Sequence, residues 1–379
     1  MTTAGILKEP SHENRVSLTP ESAAALAKMG LKVIIEQGAG ERAFYNDHQY
    51  SSVDVLSASR EEVLITSDLI FQINQPSSAD LDKLKPGAVL VSIINPLANN
   101  AYVSELLNKK ITCLSLDSVP RITRAQAMDV LSSMATVAGY RAVLLSATHL
   151  PHFFPLLMTA AGSITPAKVL ILGAGVAGLQ AIATTRKLGG VVEVFDVRAA
   201  VKEEVMSLGG KFVEVEGAKD DKAAGGYAVE QTEEFKQKQK QLIHDHAVKS
   251  DVIIATAQIP GKKAPVLITK EMVEGMKPGS VIVDLAASTG GNCEVTQNNK
   301  TIVHNGVTII GDSNLPTGLA ADASKMFGKN IINLMKIMIT KEGAINLNLE
   351  DDILKGTVIT HNGEVINERV KGIMQTAVN

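Results

Sequence analysis

KVLILGAGVAGLQA, residues 168–181, is the stretch whose reading decides the fold. An apolar, β-branched run leads into Gly173, Gly175 and Gly178, and the helical pattern VAGLQAIATTRKLG follows. G-x-G-x-x-G spacing by itself is weak. Here a strand precedes it, a helix follows it, and the next strand, VVEVFD, ends in the acidic Asp196, which is the setting a dinucleotide-binding turn needs. Gly173 permits the tight turn, Gly175 lets the backbone approach a pyrophosphate, and Gly178 lets helix and strand pack closely. The start of the helix presents unpaired N–H groups to the phosphates. Asp196 can accept hydrogen bonds from a ribose 2′-OH and would repel a 2′-phosphate, so NAD(H) is expected over NADP(H) despite Arg198 two residues on.

Outward from this stretch, strands and helices alternate. VKEEVMSLG reads as helix, and KFVEV, DVIIAT, SVIVDLA and VTIIGD read as strands. The first 120 residues repeat the pattern: strand AGIL, helix from Pro20 to Gly30, then the strands LKVIIEQ, DLIFQI, AVLVSII and ITCLSL between helical segments. KPGAVLV (85–91) and KPGSVIV (277–283) are near-duplicates, each entering an apolar strand. Such alternation predicts an α/β fold of two doubly wound, parallel-sheet, Rossmann-like domains with a cleft between them. Residues 125–147 read as one helix linking them, and 323–340 as a long amphipathic helix returning to the first. The expected domains are therefore 1–125 plus 323–379, and 126–322. In the tail, Asn362-Gly363 marks a two-residue hairpin turn.

Composition agrees with two domains. The chain has 379 residues, more than single cores usually hold, and 45% of them are hydrophobic. A net charge of −3 offers no attraction for nucleic acid or an anionic membrane surface. Cys113 and Cys293 form no metal-ligand spacing or disulfide framework, so no metal site and a reducing compartment are expected. The N-terminus has no apolar signal region. Residues 142–167 contain no Asp, Glu, Lys or Arg, but prolines at 151, 155 and 166 predict a helix end and a buried loop rather than a membrane span.

Two polar features stand out. Residues 216–249 form a long, charged excursion containing Gly225, Gly226 and Tyr227, which reads either as a lid over a nucleotide or as a solvated loop. His244 and His246 within it read as surface residues. PRITRAQAMDVLSS (120–133) crowds Arg121, Arg124, Gln126 and Asp129 before an apolar run. Thr123 and Gln126 have capping-box spacing. Gln126, Asp129 and Ser132 follow at steps of three, on one arc of a helix. The cluster thus reads as a helix start, as a site, or as both.

PRITRAQAMDVLSS, the glycine stretch through FDVRA, AGGYA and IPGKKAPVLIT together resemble the NAD(H)-binding component of proton-translocating NAD(P) transhydrogenase, over essentially the whole chain. KEPSHENRVSLTP (8–20) resembles the N-terminal signature of the wider superfamily, which includes alanine dehydrogenase. The resemblance implies that Arg121, Gln126, Asp129 and Ser132 surround the nicotinamide, with Tyr227 on a lid. It also implies NAD(H) contacts at Val176, Asp196, Val197, Arg198, Gly226, Gln239 and Gln258. A homodimer is implied, at the cytoplasmic side of a bacterial membrane, working with a membrane-spanning subunit and a subunit that alone carries NADP(H). The chain's end at Asn379 without membrane spans suggests the multi-polypeptide arrangement.

Two alternatives are an amino-acid dehydrogenase and an NAD(H)-binding module without turnover. Oxidative deamination needs a general acid/base and a polarising cation. The places where alanine dehydrogenases carry lysine, histidine and a carboxylate hold Asn74, Asn95 and Ser288 here, and none of these titrates near neutral pH. Arg15, the superfamily's substrate-carboxylate arginine, is present but also fits a structural ion pair. Direct hydride transfer between two nicotinamides needs none of those groups. It needs two rings held ~3–3.5 Å apart.

Overall fold

The computed structural model describes residues 1–214, 232–259 and 261–376. They form two compact units, Met1–Met134 with the chain from Thr317 onward, and Ala135–Pro316. In the first unit lie β1 (Thr3–Ile6), β2 (Lys32–Glu36), β3 (Leu56–Ala58), β4 (Leu69–Asn74), β5 (Val89–Ile93) and β6 (Thr112–Ser115). The second holds β7 (Leu157–Thr159), β8 (Gly162–Ile164), β9 (Lys168–Leu172), β10 (Val191–Phe195) and β11 (Lys211–Val213). It continues with β12 (Val252–Ala255), β13 (Val281–Asp284), β14 (Thr301–His304) and β15 (Val307–Ile310). The returning chain adds β16 (Val358–His361) and β17 (Glu364–Val365) to the first unit.

The first sheet runs β17-β16-β6-β5-β4-β1-β2-β3, and the second β11-β10-β9-β12-β13-β15-β14. In the first, β1 to β6 pair in parallel and β16 joins β6 antiparallel. In the second every pairing is parallel except that of β14 with β15. This is the expected mixed α/β architecture of two mainly parallel sheets. Strand order reverses between β1 and β4 and between β9 and β12, and the carboxyl ends at such switch points are where doubly wound sheets bind ligands. Central strands are buried on both faces, as Val252–Ala255 and Val281–Asp284 show, because helices cover the sheet on either side.

Local chemistry sets many of the ends. Thr19 caps the helix Pro20–Lys28 by accepting from the Ser22 N–H, and the chain leaves through Gly30 at φ +87°. Asn362 and Gly363, at φ 52° and 79°, make the expected tight turn between β16 and β17. Gly139 lies inside a helix for a packing reason: a Cβ there would sit 2.1 Å from the Ala177 carbonyl oxygen, so two helices touch backbone to backbone.

Two expectations fail. The helix anticipated over 125–147 is not continuous: residues Thr123–Met128 form a 3-10 turn, Asp129 is extended, and the α-helix spans Val130–His149. By length and composition alone that helix could cross a membrane. It instead buries Ala142 and Val143 in the second unit's core. The stretch after it is not a buried loop. β7 and β8 form a two-stranded hairpin that leaves Met158 78% exposed and Leu156 55% exposed.

Candidate functional site

In the second unit the glycine turn follows β9. Gly173 has φ +103°, and a Cβ there would also lie 2.5 Å from Thr256 Oγ1. That hydroxyl donates to the Gly173 carbonyl at 3.0 Å, so the end of β12 braces the turn. Gly175 is the residue before the helix Val176–Lys187, with its backbone extended and open space where a Cβ would be. Val176 is partly exposed at the helix start. A Cβ on Gly178 would fall 1.9 Å from the Gly173 carbonyl oxygen. These positions fit a dinucleotide: a bare backbone facing open space, backed by a helix N-terminus. When bound, such a cofactor supplies a nicotinamide that gives or takes a hydride.

Asp196 lies at the end of β10 with its side chain 6% exposed. Its Oδ2 accepts from the Ala174 N–H at 2.7 Å and from Arg198 Nη2 at 2.7 Å. Its Oδ1 accepts from the Arg198 N–H and Nε, both at 2.9 Å. Four donors match the roughly four acceptor sites of a carboxylate. A ribose hydroxyl must therefore displace one of them. Val197 packs beside the core. Gln258 donates to the Leu285 carbonyl at 2.7 Å, and Gln239 is half-buried on the helix Glu233–Ala247. No described contact joins either glutamine to the glycine turn. Gly226 and Tyr227, with residues 216–231 of the expected lid, lie outside the described residues. His246 is partly exposed and bonds to Glu193 at 2.6 Å. Asn292 was not anticipated: it bonds both the N–H and the carbonyl of Ala257, and the Pro265 carbonyl, tying the loop after β12 to the one after β13.

In the first unit Arg121, Gln126, Asp129 and Ser132 line one concavity of about 250 Å³, together with Pro120, Ile122, Thr123 and Ala125. The reason they converge is not the anticipated one. Thr123 and Gln126 do not form a capping box: the turn begins after Ile122 with no side-chain cap. A 3-10 turn eclipses residues three apart. Ala125 and Met128 therefore point inward and are buried, while Thr123 and Gln126 share the outer face. Asp129 then starts the α-helix as its cap. Its Oδ1 accepts from the Ser132 N–H at 2.9 Å and its Oδ2 from the Ser132 hydroxyl at 2.6 Å. Arg124 faces elsewhere, paired with Asp351 through two bonds of 2.7 and 2.9 Å.

The first unit's own switch point is filled. Glu9, after β1, accepts from the Ile73 and Asn74 N–H groups and from Asn74 Nδ2 at the end of β4. Asn74 thus presents a neutral amide at the end of β4. Arg15 is buried against Glu13, with Nε to Oε1 2.8 Å and Nη2 to Oε2 2.6 Å. Burial alone would raise the Glu13 carboxyl, but the hydrogen bonds and charge of Arg15 outweigh it and hold Glu13 low. Ser288 is exposed in a 3-10 turn.

Burial pushes the Glu9 carboxyl up to about 7, against the pull of its Asn74 and Ile73 hydrogen bonds. Unfolded, it titrates near its ordinary 4.5. Between those values the folded chain keeps a proton that the unfolded chain has lost. Its contribution to stability is therefore full below 4.5 and is lost as pH rises through about 7. Glu9→Gln should flatten the fall in stability between about pH 5 and 8, read as urea midpoints at each pH. An unchanged slope would assign that fall to other groups.

Residues 5–138 match the N-terminal domain and residues 142–368 the C-terminal domain of the alanine dehydrogenase/PNT family. The chain belongs to that family. The C-terminal span of this family member takes in residues that fold back into the first unit, since that unit resumes at Thr317. The chain is 45% identical over 369 residues to the first part of the NAD(P) transhydrogenase alpha subunit of Rhodospirillum rubrum, covering 95% of this chain and 96% of that one. A crystal structure of transhydrogenase from Sinorhizobium meliloti superposes with a TM-score of 0.88 at 40% identity, over 96% of this chain and all of the other. Alanine dehydrogenase of Bacillus subtilis is more distant, 26% identical over 377 residues, covering 97% of this chain and 93% of that one.

Proposed function

We propose that this chain is the NAD(H)-binding alpha component of an NAD(P) transhydrogenase. Hydride passes directly between NAD(H) held here and NADP(H) held by a partner subunit, and a membrane-spanning subunit couples the transfer to proton translocation. The observation that carries this reading is the convergence of Arg121, Gln126, Asp129 and Ser132 on one concavity. Arg121 and Asp129 hold the carboxamide and ribose region, and Gln126 reaches towards the partner's cofactor. Val197, Gln239 and Gln258 complete the nucleotide's contacts. The naming of relatives as transhydrogenase alpha subunits supports the same reading. So does Asn74, whose neutral amide, bonded to Glu9, cannot polarise an imine as an ammonium would. The exposed apolar hairpin of β7 and β8 supports a homodimer, and the assembly belongs on the cytoplasmic face of a bacterial inner membrane.

The test is reconstitution. The purified chain, mixed with an NADP(H)-binding transhydrogenase component, should transfer hydride between nicotinamide analogues. It should bind NADH well and NADPH poorly. Failure to transfer, with NADH bound, would leave a nucleotide-binding module. NAD reduction driven by alanine would restore the dehydrogenase reading.

A further inference from the structure

The 3-10 turn that carries Gln126 is held from far along the chain. Because Asp129 is extended, the hydrogen-bond ladder breaks between the turn and the helix that follows. The Ala127 carbonyl, one residue from Gln126, is taken up instead by two side-chain amides on the helix Ala320–Met338. Asn330 Nδ2 donates to it at 2.9 Å and Asn333 Nδ2 at 3.1 Å. Asn330 is 7% exposed, and its Oδ1 is buried with no partner among the described residues. Burying that oxygen unpaired is unfavourable, and an aliphatic side chain would avoid it. The bond to Ala127 is what an asparagine gains there. A second tie runs from Arg124, two residues before Gln126, to Asp351, the cap of the helix Asp352–Thr357. Arg124 is 55% exposed, so this pair contributes little to stability, but its two-pronged geometry fixes orientation.

We propose that Asn330 and Asn333, seconded by Asp351, are positioning residues that hold the Ala127 peptide and so set the aim of Gln126. The inference rests on the reading of the concavity as the nicotinamide site. It adds that the returning C-terminal segment, more than 200 residues away, sets the catalytic geometry without touching cofactor. Ring-to-ring transfer is sensitive to placement, and a displacement of about 1 Å can cost on the order of a hundredfold in rate. The glycine turn, where the phosphates are read to bind, contains none of these residues.

The experiment uses the full chain reconstituted with its NADP(H)-binding partner. It compares Asn330→Leu with Asn333→Ala, the two together, Asp351→Asn, and Gln126→Ala as reference. Asn330→Leu removes both the donor and the unpaired acceptor at similar size. Asp351→Asn keeps the helix cap and weakens only the tie to Arg124. The double variant should transfer hydride at saturating NADH about tenfold or more slowly, with NADH affinity within about twofold and no loss of thermal midpoint. Asp351→Asn should fall between it and the parent. Unchanged kcat in a folded double variant, or equal losses in kcat and NADH affinity, would overturn the proposal. Should the double variant unfold, Asp351→Asn and Asn333→Ala decide alone, and unchanged kcat in both would overturn it. If Gln126→Ala itself transfers normally, it is the reading of the concavity that fails.

Discussion

Gly175→Ala should fold as stably as the parent and bind NADH about tenfold or more weakly, while Gly178→Ala should lose both stability and binding. The difference follows from what each missing side chain would meet. At Gly175 the backbone is extended, a conformation open to any residue, and a Cβ would meet no atom within 4 Å among the described residues beyond its chain neighbours. The chain therefore gives no reason for a glycine there. A pyrophosphate does, because it must approach that backbone to reach the helix N-terminus, and a methyl group would hold it off. Tenfold corresponds to about 1.4 kcal/mol, which a shift of one or two phosphate hydrogen bonds readily accounts for. At Gly178 the Cβ would lie 1.9 Å from one backbone oxygen and 2.9 Å from its carbon, so the helix must move away from the turn. Overpacking of this kind typically costs about 1–3 kcal/mol. The measurements are thermal unfolding and NADH titration of each variant. A stable, tightly binding Gly175→Ala protein would mean that the phosphates lie elsewhere.

The two doubly wound sheets are legible in the sequence because their signals are local and repeated. Buried parallel strands read as apolar runs, the turns between them carry Gly and Pro, and Asn362-Gly363 names its own geometry. The glycine turn is legible for the same reason. Around 120–133 the sequence reveals which residues converge but not how. An α-helix and a 3-10 turn both bring residues three apart near one another, so Gln126, Asp129 and Ser132 share a face under either reading. What the pattern cannot reveal is the break at Asp129, because the groups that stabilise it come from elsewhere. Asn330 and Asn333 take the Ala127 carbonyl, and Asp351 takes Arg124. Capping spacing at Thr123 and Gln126 is outcompeted by a cap that forms only once the chain is extended at Asp129. The same holds for Asp196, whose two oxygens are filled by Ala174 and Arg198. Periodicity locates a carboxylate at a strand end but not the donors that already occupy it. The hairpin after His149 escapes the pattern because an apolar run signals burial, and nothing local tells burial within the chain from an apolar surface left exposed.

Asp129 has two jobs in this structure, and two substitutions separate them. As a cap it accepts from the Ser132 N–H and hydroxyl at the start of a twenty-residue helix. As part of the concavity it supplies the carboxylate beside Arg121, Gln126 and Ser132. Asparagine caps helices about as well as aspartate, whereas alanine at such a position costs about 1 kcal/mol. Asp129→Asn should therefore keep the parent's thermal midpoint, and Asp129→Ala should lower it. Both lose the charge. If the carboxylate holds the ribose and carboxamide region of NAD(H), both variants should transfer hydride about tenfold or more slowly in the reconstituted system, since charged hydrogen bonds contribute about 1.5–3 kcal/mol each. The informative protein is the asparagine variant, whose fold is intact and whose helix still begins at Val130. Full activity in Asp129→Asn would reduce Asp129 to a cap, leaving Arg121, Gln126 and Ser132 to aim the ring without it. A slow but stable Asp129→Asn would show that one side chain both starts the helix and orients the cofactor, because the break that needs a cap is also what turns Gln126 outward.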